Sequence, residues 1–371
     1  MSKKIQLILT RSSSQAAENF GWTIGGFALA YEISGDIGII ALISSMLVMA
    51  NATTVRLRDS EYSLGPSLIR RALIWRGISF ILMILADQYE LLIILIMGGA
   101  CSGIYVGSFW PSFYSIYKDD FKEWYSLEKT SAIILTLLSA FCLKYLGVFF
   151  VLSLSFIFVI ISYISTLFID HGQSSIMPGT GIIETQKSRK YFLPRSFPER
   201  LAFTEGALNS STNLARYLVV LCGIISIHGL PEYISLGLIL AISQFSGAIF
   251  SWLFSTNLRE RGIVRVGLGI CSFSTVLLFF ESSWLLGIVA MTCGSSVIFP
   301  IFKDEVDRQL ADMGMDGNCV RESSRNSGRV LGTILGAAFW FSIPSIIGST
   351  IAIMLSLIAL IYCLNNTNEA I

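Results

Sequence analysis

Long apolar runs, separated by short polar loops, are the feature that most limits what this chain can fold into. Only 14% of its 371 residues are charged, whereas soluble domains carry about 25%. Backbone groups in lipid must be satisfied within a helix or a closed barrel, and the runs lack the period-two alternation of a barrel strand. The sequence therefore predicts an all-α polytopic membrane protein. Its 26 basic and 25 acidic residues nearly cancel, which excludes a nucleic-acid-binding chain.

Twelve runs are predicted to span the membrane, since a helix needs about 20 apolar residues to cross the hydrocarbon core. They cover residues 16–34, 37–55, 70–87, 91–114, 130–146, 149–169, 201–224, 233–254, 263–280, 284–302, 326–343 and 346–364. A short segment with Lys3 and Lys4 precedes the first span, and we expect it to lie at the membrane surface. An even number of spans places both termini on the same side.

The basic residues predict the orientation of these spans. With a cytoplasmic N-terminus, nearly all of the 26 lysines and arginines fall on inner loops or at their edges, among them Arg70, Arg71 and Arg76. Only Lys144 falls on an outer loop, and Arg216 lies within a span. Because cytoplasmic loops of membrane proteins are enriched in Lys and Arg, we expect both termini in the cytoplasm and the protein in the cell membrane.

The two halves of the chain repeat each other at matched positions. Leu57-Arg58-Asp59 follows the second span, and Leu258-Arg259-Glu260 follows the eighth. The longest polar stretch, which is rich in Pro, Gly and Ser, lies between the halves. The sequence thus predicts an N-terminal six-helix bundle at 1–169, a cytoplasmic linker at 170–199 and a C-terminal six-helix bundle at 200–371.

This organisation resembles the major facilitator superfamily over nearly the whole chain. The family's loop signature is G-x-x-x-D-R-x-G-R-R, and the loop after the eighth span is similar to its acidic–basic–glycine–basic core. The loop after the second span has the same residue types at a different spacing. The resemblance implies a transporter that works by alternating access, in which these loops brace a cytoplasmic gate. The residues that it assigns to the gate are Arg58, Asp59, Glu260, Arg261, Gly262 and Arg265.

Span 7 carries the main candidates for a solute cavity. Glu205, Asn209, Thr212 and Arg216 are spaced by 4, 3 and 4 residues, so they share one face of a helix. An arginine near the middle of the membrane costs roughly 2.5–3.5 kcal/mol to insert, so it should face a wet cavity or a partner. Arg216 suggests an anionic solute or a gate. The alternative is a helix-packing stripe, with Arg216 paired to an acid such as Glu32.

Span 1 is the counterpart of span 7 in the repeat. Glu18, Trp22 and Gly25 share a face by the same spacing. Glu18 and Glu205 are candidates for proton coupling, because desolvation would let a carboxylate bind and release a proton. The alternative is that both are ordinary ionised acids at wet helix ends. Trp22 and, in span 4, Tyr105 are candidates for stacking on a solute, although packing is the commoner role of such aromatic residues.

Three functions are compatible with the sequence. The first is a secondary transporter, acting as a monomer, that moves a small organic solute together with protons; the nucleotide-binding pattern G-x-x-x-x-G-K-[ST] does not occur. The second is a membrane-embedded transferase for a lipid-linked substrate, with Asp119-Asp120 as a Mg²⁺ site. The third is a sensor that kept the carrier fold and lost transport. With no CxxC and only two histidines, no metal or cofactor is expected.

Overall fold

A computed structural model describes residues 3–58, 65–116, 121–168, 194, 196–228, 233–255, 260–280, 283–312, 317–343 and 345–365. Within these residues the chain forms eleven α-helices and one π-helical stretch. They are α1 (Lys3–Ala17), the π-helical stretch (Glu18–Gly26), α2 (Phe27–Arg58), α3 (Pro66–Tyr89), α4 (Leu92–Ile116), α5 (Phe121–Leu167), α6 (Phe197–His228), α7 (Tyr233–Ser255), α8 (Glu260–Leu278), α9 (Trp284–Asp312), α10 (Gly317–Ser342) and α11 (Ser345–Asn365).

The first helical rod begins earlier than predicted. α1, the π-helical stretch and the start of α2 follow one another directly, so the rod starts at Lys3 and not at residue 16. The side chains of Thr10 and Ser165 share a buried hydrogen bond of 2.6 Å, and the Ser162 hydroxyl donates to the Thr10 carbonyl at 2.9 Å. This part of α1 therefore packs on α5, and the expectation of a segment at the membrane surface stays a prediction.

α2 reverses its direction at Ser34 and Gly35, about eight residues after it begins. Ser34 and Gly35 depart from helical backbone angles, and Gly35 has φ +59°, which glycine tolerates better than other residues. A Cβ at Gly38 would overlap the carbonyl oxygen of Ala30. Residues 30 and 38 would lie about 12 Å apart along a straight helix. The chain therefore reverses at Ser34–Gly35, between the first two predicted spans.

α5 reverses in the same way at Gly147, which has φ +82°. The Ser139 hydroxyl donates to the Phe20 carbonyl, and the Ser155 side chain lies against the neighbouring Gly21. Residues 139 and 155 would lie about 24 Å apart along a straight helix. Their approach to adjacent residues of the first rod requires a turn between them, where the fifth and sixth predicted spans meet.

Five stretches of the described residues are long and apolar enough to cross a membrane. They are Leu9–Arg58, Leu92–Phe113, Ile133–Leu167, Tyr233–Phe250 and Ile346–Leu364. Two of them contain the reversals described above, so each covers two predicted spans. α3, α6 and α10 are not among the five, and each carries a charged side chain that packing buries: Arg76, Glu205 and Arg321 respectively.

Glycines bring pairs of helices into backbone contact, as their four-residue spacing predicts. A Cβ at Gly328 or Gly332 of α10 would overlap a backbone carbonyl of α6. Gly103 and Gly107 of α4 lie as close to backbone carbonyls of α2. These four glycines therefore serve close helix packing.

The described residues up to 168 are called the N-terminal half below, and those from 196 the C-terminal half. α2 and α3 both pack on α4 in the first, and α7 and α8 both pack on α9 in the second, so the neighbour order repeats. The halves meet mainly where α2 packs on α10 and where α5 packs on α7. The space between these two seams is where a site shared by both halves would lie.

Candidate functional site

The predicted stripe on α6 divides into two parts with different partners. Glu205 is only 6% exposed, and Arg325 of α10 holds its carboxylate through Nε and Nη2, each 2.8 Å from one oxygen. Gly206 makes this possible, because a Cβ there would overlap the Arg325 carbonyl and keep the helices apart. Glu205 thus lies in an ion pair between two helices of the same half.

The rest of the stripe, from Asn209 to Arg216, forms no such ion pair with the described residues. The Asn213 amide donates to Asn209 Oδ1 at 3.0 Å. Thr212 is buried, and its hydroxyl has no hydrogen-bond partner among the described residues; the same holds for the buried Nε of Arg216. The Arg216 guanidinium lies 5.3 Å from the ring centre of Tyr217. Unlike the Glu205 carboxylate, these two polar atoms are left without a hydrogen-bond partner among the described residues.

Three aromatic rings connect the halves next to Arg216. Tyr217 stacks on Phe27, with ring centres 3.9 Å apart, and Phe27 meets the edge of Trp22 at 6.3 Å. Phe27 and Trp22 belong to the first rod, whereas Tyr217 belongs to α6. Trp22, Phe27 and Tyr217 are called the aromatic bridge below. It brings the predicted Trp22 into the same contact network as Arg216.

Arg76 is a buried cation that the sequence analysis assigned wrongly to a loop edge. It is 2% exposed, and its guanidinium lies 5.2 Å from the Trp22 ring, 4.9 Å from Phe80 and 5.0 Å from Tyr105. Nη1 donates to the Ser102 hydroxyl, while Nε has no partner among the described residues. The sequence does carry a signal for this burial: Arg76 lies within an apolar run, four residues before Phe80, and a loop arginine would not lie there.

Tyr105 and Glu18 lie near Arg76 but in different surroundings. Tyr105 is fully buried, and its hydroxyl shares a hydrogen bond with Ser14, so it lies inside the N-terminal half in this conformation. Glu18 opens the π-helical stretch and is partly exposed, and its charge acts on Arg76. Its carboxylate forms no ion pair within the described part of the chain. This stretch is π-helical rather than α-helical, and both Trp22 and Glu18 lie near Arg76.

The structure brings one predicted gate residue to the opposite half. Arg58 Nη1 donates to the Ser323 hydroxyl at 3.3 Å, and the Ser327 hydroxyl donates to Asn51 Oδ1 at 2.9 Å. Arg265 is exposed and contacts no partner among the described side chains. Asp59 lies outside the described residues, as do the side chains of Glu260 and Arg261 and the surroundings of Gly262. These α2–α10 contacts lie at the end of the bundle marked by Arg58, and they are called the inner seam below, after the cytoplasmic side predicted for that end.

A second set of contacts joins the halves at the outer end, which is marked by the Ser34–Gly35 turn. The Tyr233 hydroxyl of α7 donates to Glu32 Oε1, and Trp340 Nε1 of α10 donates to Asp36 Oδ2 at 3.1 Å. Both acceptors flank one turn of the N-terminal half, and both donors belong to the C-terminal half. These four side chains are called the outer latch below. Glu32 therefore accepts from Tyr233, and Arg216 does not pair with it.

Three solved structures that share this fold are described as transporters or a transporter homologue. A mutant form of the nucleoside transporter NupG is 12% identical with a TM-score of 0.65, and the nucleoside transporter NupG is 16% identical with a TM-score of 0.62; the match covers 98% of this chain and of each of theirs. A bacterial homologue of the iron transporter ferroportin, in an inward-facing state, is 13% identical with a TM-score of 0.63, covering 98% of this chain and 99% of that one. No protein-family model and no curated protein matches the sequence. The chain therefore shares the fold of these three structures.

Proposed function

We propose that this protein is a secondary transporter, not an enzyme, and that it moves a small organic solute by alternating access. The support from the comparisons is an analogy of fold, since a fold alone does not fix a function. The support from the chain itself is the arrangement of polar groups relative to the two ends of the bundle, and it carries the proposal.

Contacts between the halves occur at opposite ends, with buried polar atoms between them. The outer latch joins the halves at one end and the inner seam joins them at the other. The hydroxyl of Thr212 and the Nε of Arg216 lie on α6, whose Tyr217 reaches the N-terminal half. Rocking one half against the other would break one set of contacts while the other set holds. Each end would then open in turn to the same polar groups.

Twelve crossings fit this proposal, with both termini in the cytoplasm and a cytoplasmic linker over 170–199. Counting each reversed helix as two crossings makes α2 and α5 contribute one extra rod each. The orientation rests on the basic residues of the predicted inner loops. We propose the cell membrane as the location and a monomer as the working unit, because each chain supplies both halves of the site.

Glu18 is the better of the two candidates for proton coupling. Glu205 is held by Arg325, and losing its charge would leave that guanidinium without its carboxylate. Glu18 is partly exposed, stands at the start of a π-helical stretch and forms no ion pair with a described residue. π-helical turns occur often at functional sites. An acid in a membrane span that is free of a fixed partner is suited to bind and release a proton.

Reconstitution into liposomes tests both parts of the proposal. Vesicles with an imposed pH gradient and an internal pH dye are offered uridine, benzoate, alanine, glucose or tetraphenylphosphonium. We expect flux of at least one solute with matching proton movement. In Glu18→Gln, the proton movement per solute should fall about tenfold or more, since the neutral amide cannot carry a proton. Glu90→Gln removes an exposed carboxylate at the outer end of α3 and should change neither quantity.

Two results would contradict the proposal. Solute flux with unchanged proton movement in Glu18→Gln would exclude Glu18 as the coupling residue. A correctly folded protein that carries none of these solute classes would favour the sensor, which keeps the carrier fold without transport.

The outer latch should hold the outer end closed. Tyr233→Phe with Trp340→Phe removes both donors, and a hydrogen bond to a charged acceptor contributes about 1.5–3 kcal/mol. We expect the population open at the outer end to rise about tenfold or more, since each 1.4 kcal/mol shifts a two-state equilibrium tenfold. Pulsed electron paramagnetic resonance measures this population between spin labels on cysteines at the exposed positions 89, the end of α3, and 280, just after α8.

A matched control is available for the latch. Tyr145→Phe removes a phenolic hydroxyl near the Gly147 turn, where the side chain is 62% exposed. It should leave the distance distribution unchanged, because this hydroxyl does not bridge the halves. A distribution that is the same in the double variant and in the wild type would show that the latch does not set the closed state.

A further inference from the structure

Two arginines within the helices, the buried Arg76 and the half-buried Arg216, lack an acidic partner among the described residues. Arg321 lies 3.2 Å from Glu322, and Arg325 holds Glu205 at 2.8 Å. Arg76 and Arg216 form no ion pair with any residue that the structure describes. Burying a guanidinium without a carboxylate is costly in a membrane, and such groups most often serve a substrate or ion pathway.

The two unpaired arginines stand at opposite ends of one series of aromatic contacts. Arg76 lies over Trp22, the aromatic bridge leads from Trp22 through Phe27 to Tyr217, and Arg216 lies over Tyr217. The series crosses from the N-terminal half to the C-terminal half. Ring faces stabilise a guanidinium through cation–π attraction, but they supply no hydrogen-bond acceptor. The Nε atom of each arginine is accordingly buried without a partner among the described residues.

The charges near this series add up to a positive site. Glu18 is the one carboxylate whose charge acts on Arg76, and it is not in ion-pair contact with it. Glu32 accepts a hydrogen bond from Tyr233, and Glu205 is held by Arg325. Glu18 therefore acts on Arg76 alone of the two guanidinium groups, and each guanidinium has an N–H donor without an acceptor among the described residues.

We propose that the transported solute is an organic anion, which rests on the transporter function proposed above. Its carboxylate or phosphate accepts hydrogen bonds from Arg216 and is attracted by Arg76, and its apolar or ring-shaped body packs on the aromatic bridge. A guanidinium suits this role because its planar N–H groups match the oxygens of a carboxylate or phosphate. Binding at the bridge also places the solute where the two halves meet, as alternating access requires.

Four probes with the same phenyl ring test whether the charge of the solute decides binding. Benzoate, benzamide and benzamidinium share a ring and differ in charge, and phenyl phosphate replaces the carboxylate with a phosphate. Binding to the full-length protein in detergent is measured by isothermal titration calorimetry. We expect benzoate or phenyl phosphate to bind at least about tenfold tighter than benzamide and benzamidinium. Arg216→Gln and Arg76→Gln should each weaken the binding of the anion about tenfold or more.

Three controls keep the test decisive. Arg56→Gln removes an exposed arginine at the inner end of α2 and should leave anion binding unchanged. Arg76→Lys keeps the buried charge, so it should retain more anion binding than Arg76→Gln if charge is what matters. The unfolding midpoint of each variant shows whether weaker binding reflects a lost site or a lost fold.

The outcomes distinguish this proposal from the transporter function. Equal or tighter binding of benzamide or benzamidinium, or no binding of either anion up to about 10 mM, overturns the anion proposal. Proton-coupled flux of neutral solutes alone also overturns it and leaves the transporter function standing. Anion binding that both glutamine variants lose, in a protein without flux, supports the anion site and contradicts transport.

Discussion

Replacing Glu205 with glutamine should lower the free energy of unfolding by about 2–3 kcal/mol, because breaking a buried pair leaves an uncompensated charge. The Glu205 side chain is 7% exposed and that of Arg325 is 22% exposed, so water screens the pair only in part. Glu322 stands 3.9 Å from Arg325 Nη1 and supplies little of the lost contact. Reversible unfolding in mixed detergent micelles measures the change.

The double variant Glu205→Gln with Arg325→Gln distinguishes a lost pair from a poorly tolerated residue. Removing both charges leaves no unpaired guanidinium, so the double variant should cost less than the sum of the single variants by about 2 kcal/mol. Glu90→Gln, which removes an exposed carboxylate, should change stability by less than about 0.5 kcal/mol. Costs that simply add would show that the contact between α6 and α10 does not depend on this pair.

Gly328→Ala should destabilise the C-terminal half by about 2 kcal/mol, although alanine is the better helix former by about 1 kcal/mol. A Cβ at this position would overlap the carbonyl oxygen of Phe203, which is backbone and cannot rotate away. The two helices would have to separate along their contact. The change is measured by the same unfolding experiment.

Gly269→Ala is the matched control, with the opposite expected sign. This glycine also lies in a helix, α8, but a Cβ there would meet nothing within 4 Å. Only the gain in helix propensity remains, so stability should rise by up to about 1 kcal/mol. If both alanine variants gain stability, the close approach of α10 to α6 is not a requirement of the fold.

The glycines between α6 and α10 also determine which side chains can pair there. Gly206 and Gly328 let α6 and α10 approach at the level of backbone atoms. At that separation the Arg325 side chain reaches Glu205, a residue 120 positions away in sequence. Glu205 is thereby held in an ion pair within the C-terminal half, whereas Thr212 Oγ1 and Arg216 Nε have no hydrogen-bond partner among the described residues.

The sequence was sufficient to predict helices and turns, because each depends on local properties. The apolar runs predicted the helical class, and the breaks between the first two spans and between the fifth and sixth coincide with the turns at Gly35 and Gly147. Transfer into lipid acts on each residue separately, so periodicity and charge can be read without knowing the neighbours. The π-helical stretch was not predictable in this way, since its spacing departs from the α-helical repeat.

Only the tertiary structure decided which polar groups pair and which do not. Glu205 and Arg216 share a face of α6, yet the first meets Arg325 and the second meets the ring of Tyr217. Arg76 stood in the sequence as one more basic residue near a loop, and the rings of Trp22 and Tyr105, from other helices, lie beside it with Phe80 of its own helix. A buried charge is tolerated according to what surrounds it, and only the packing of helices distant in sequence supplies those surroundings.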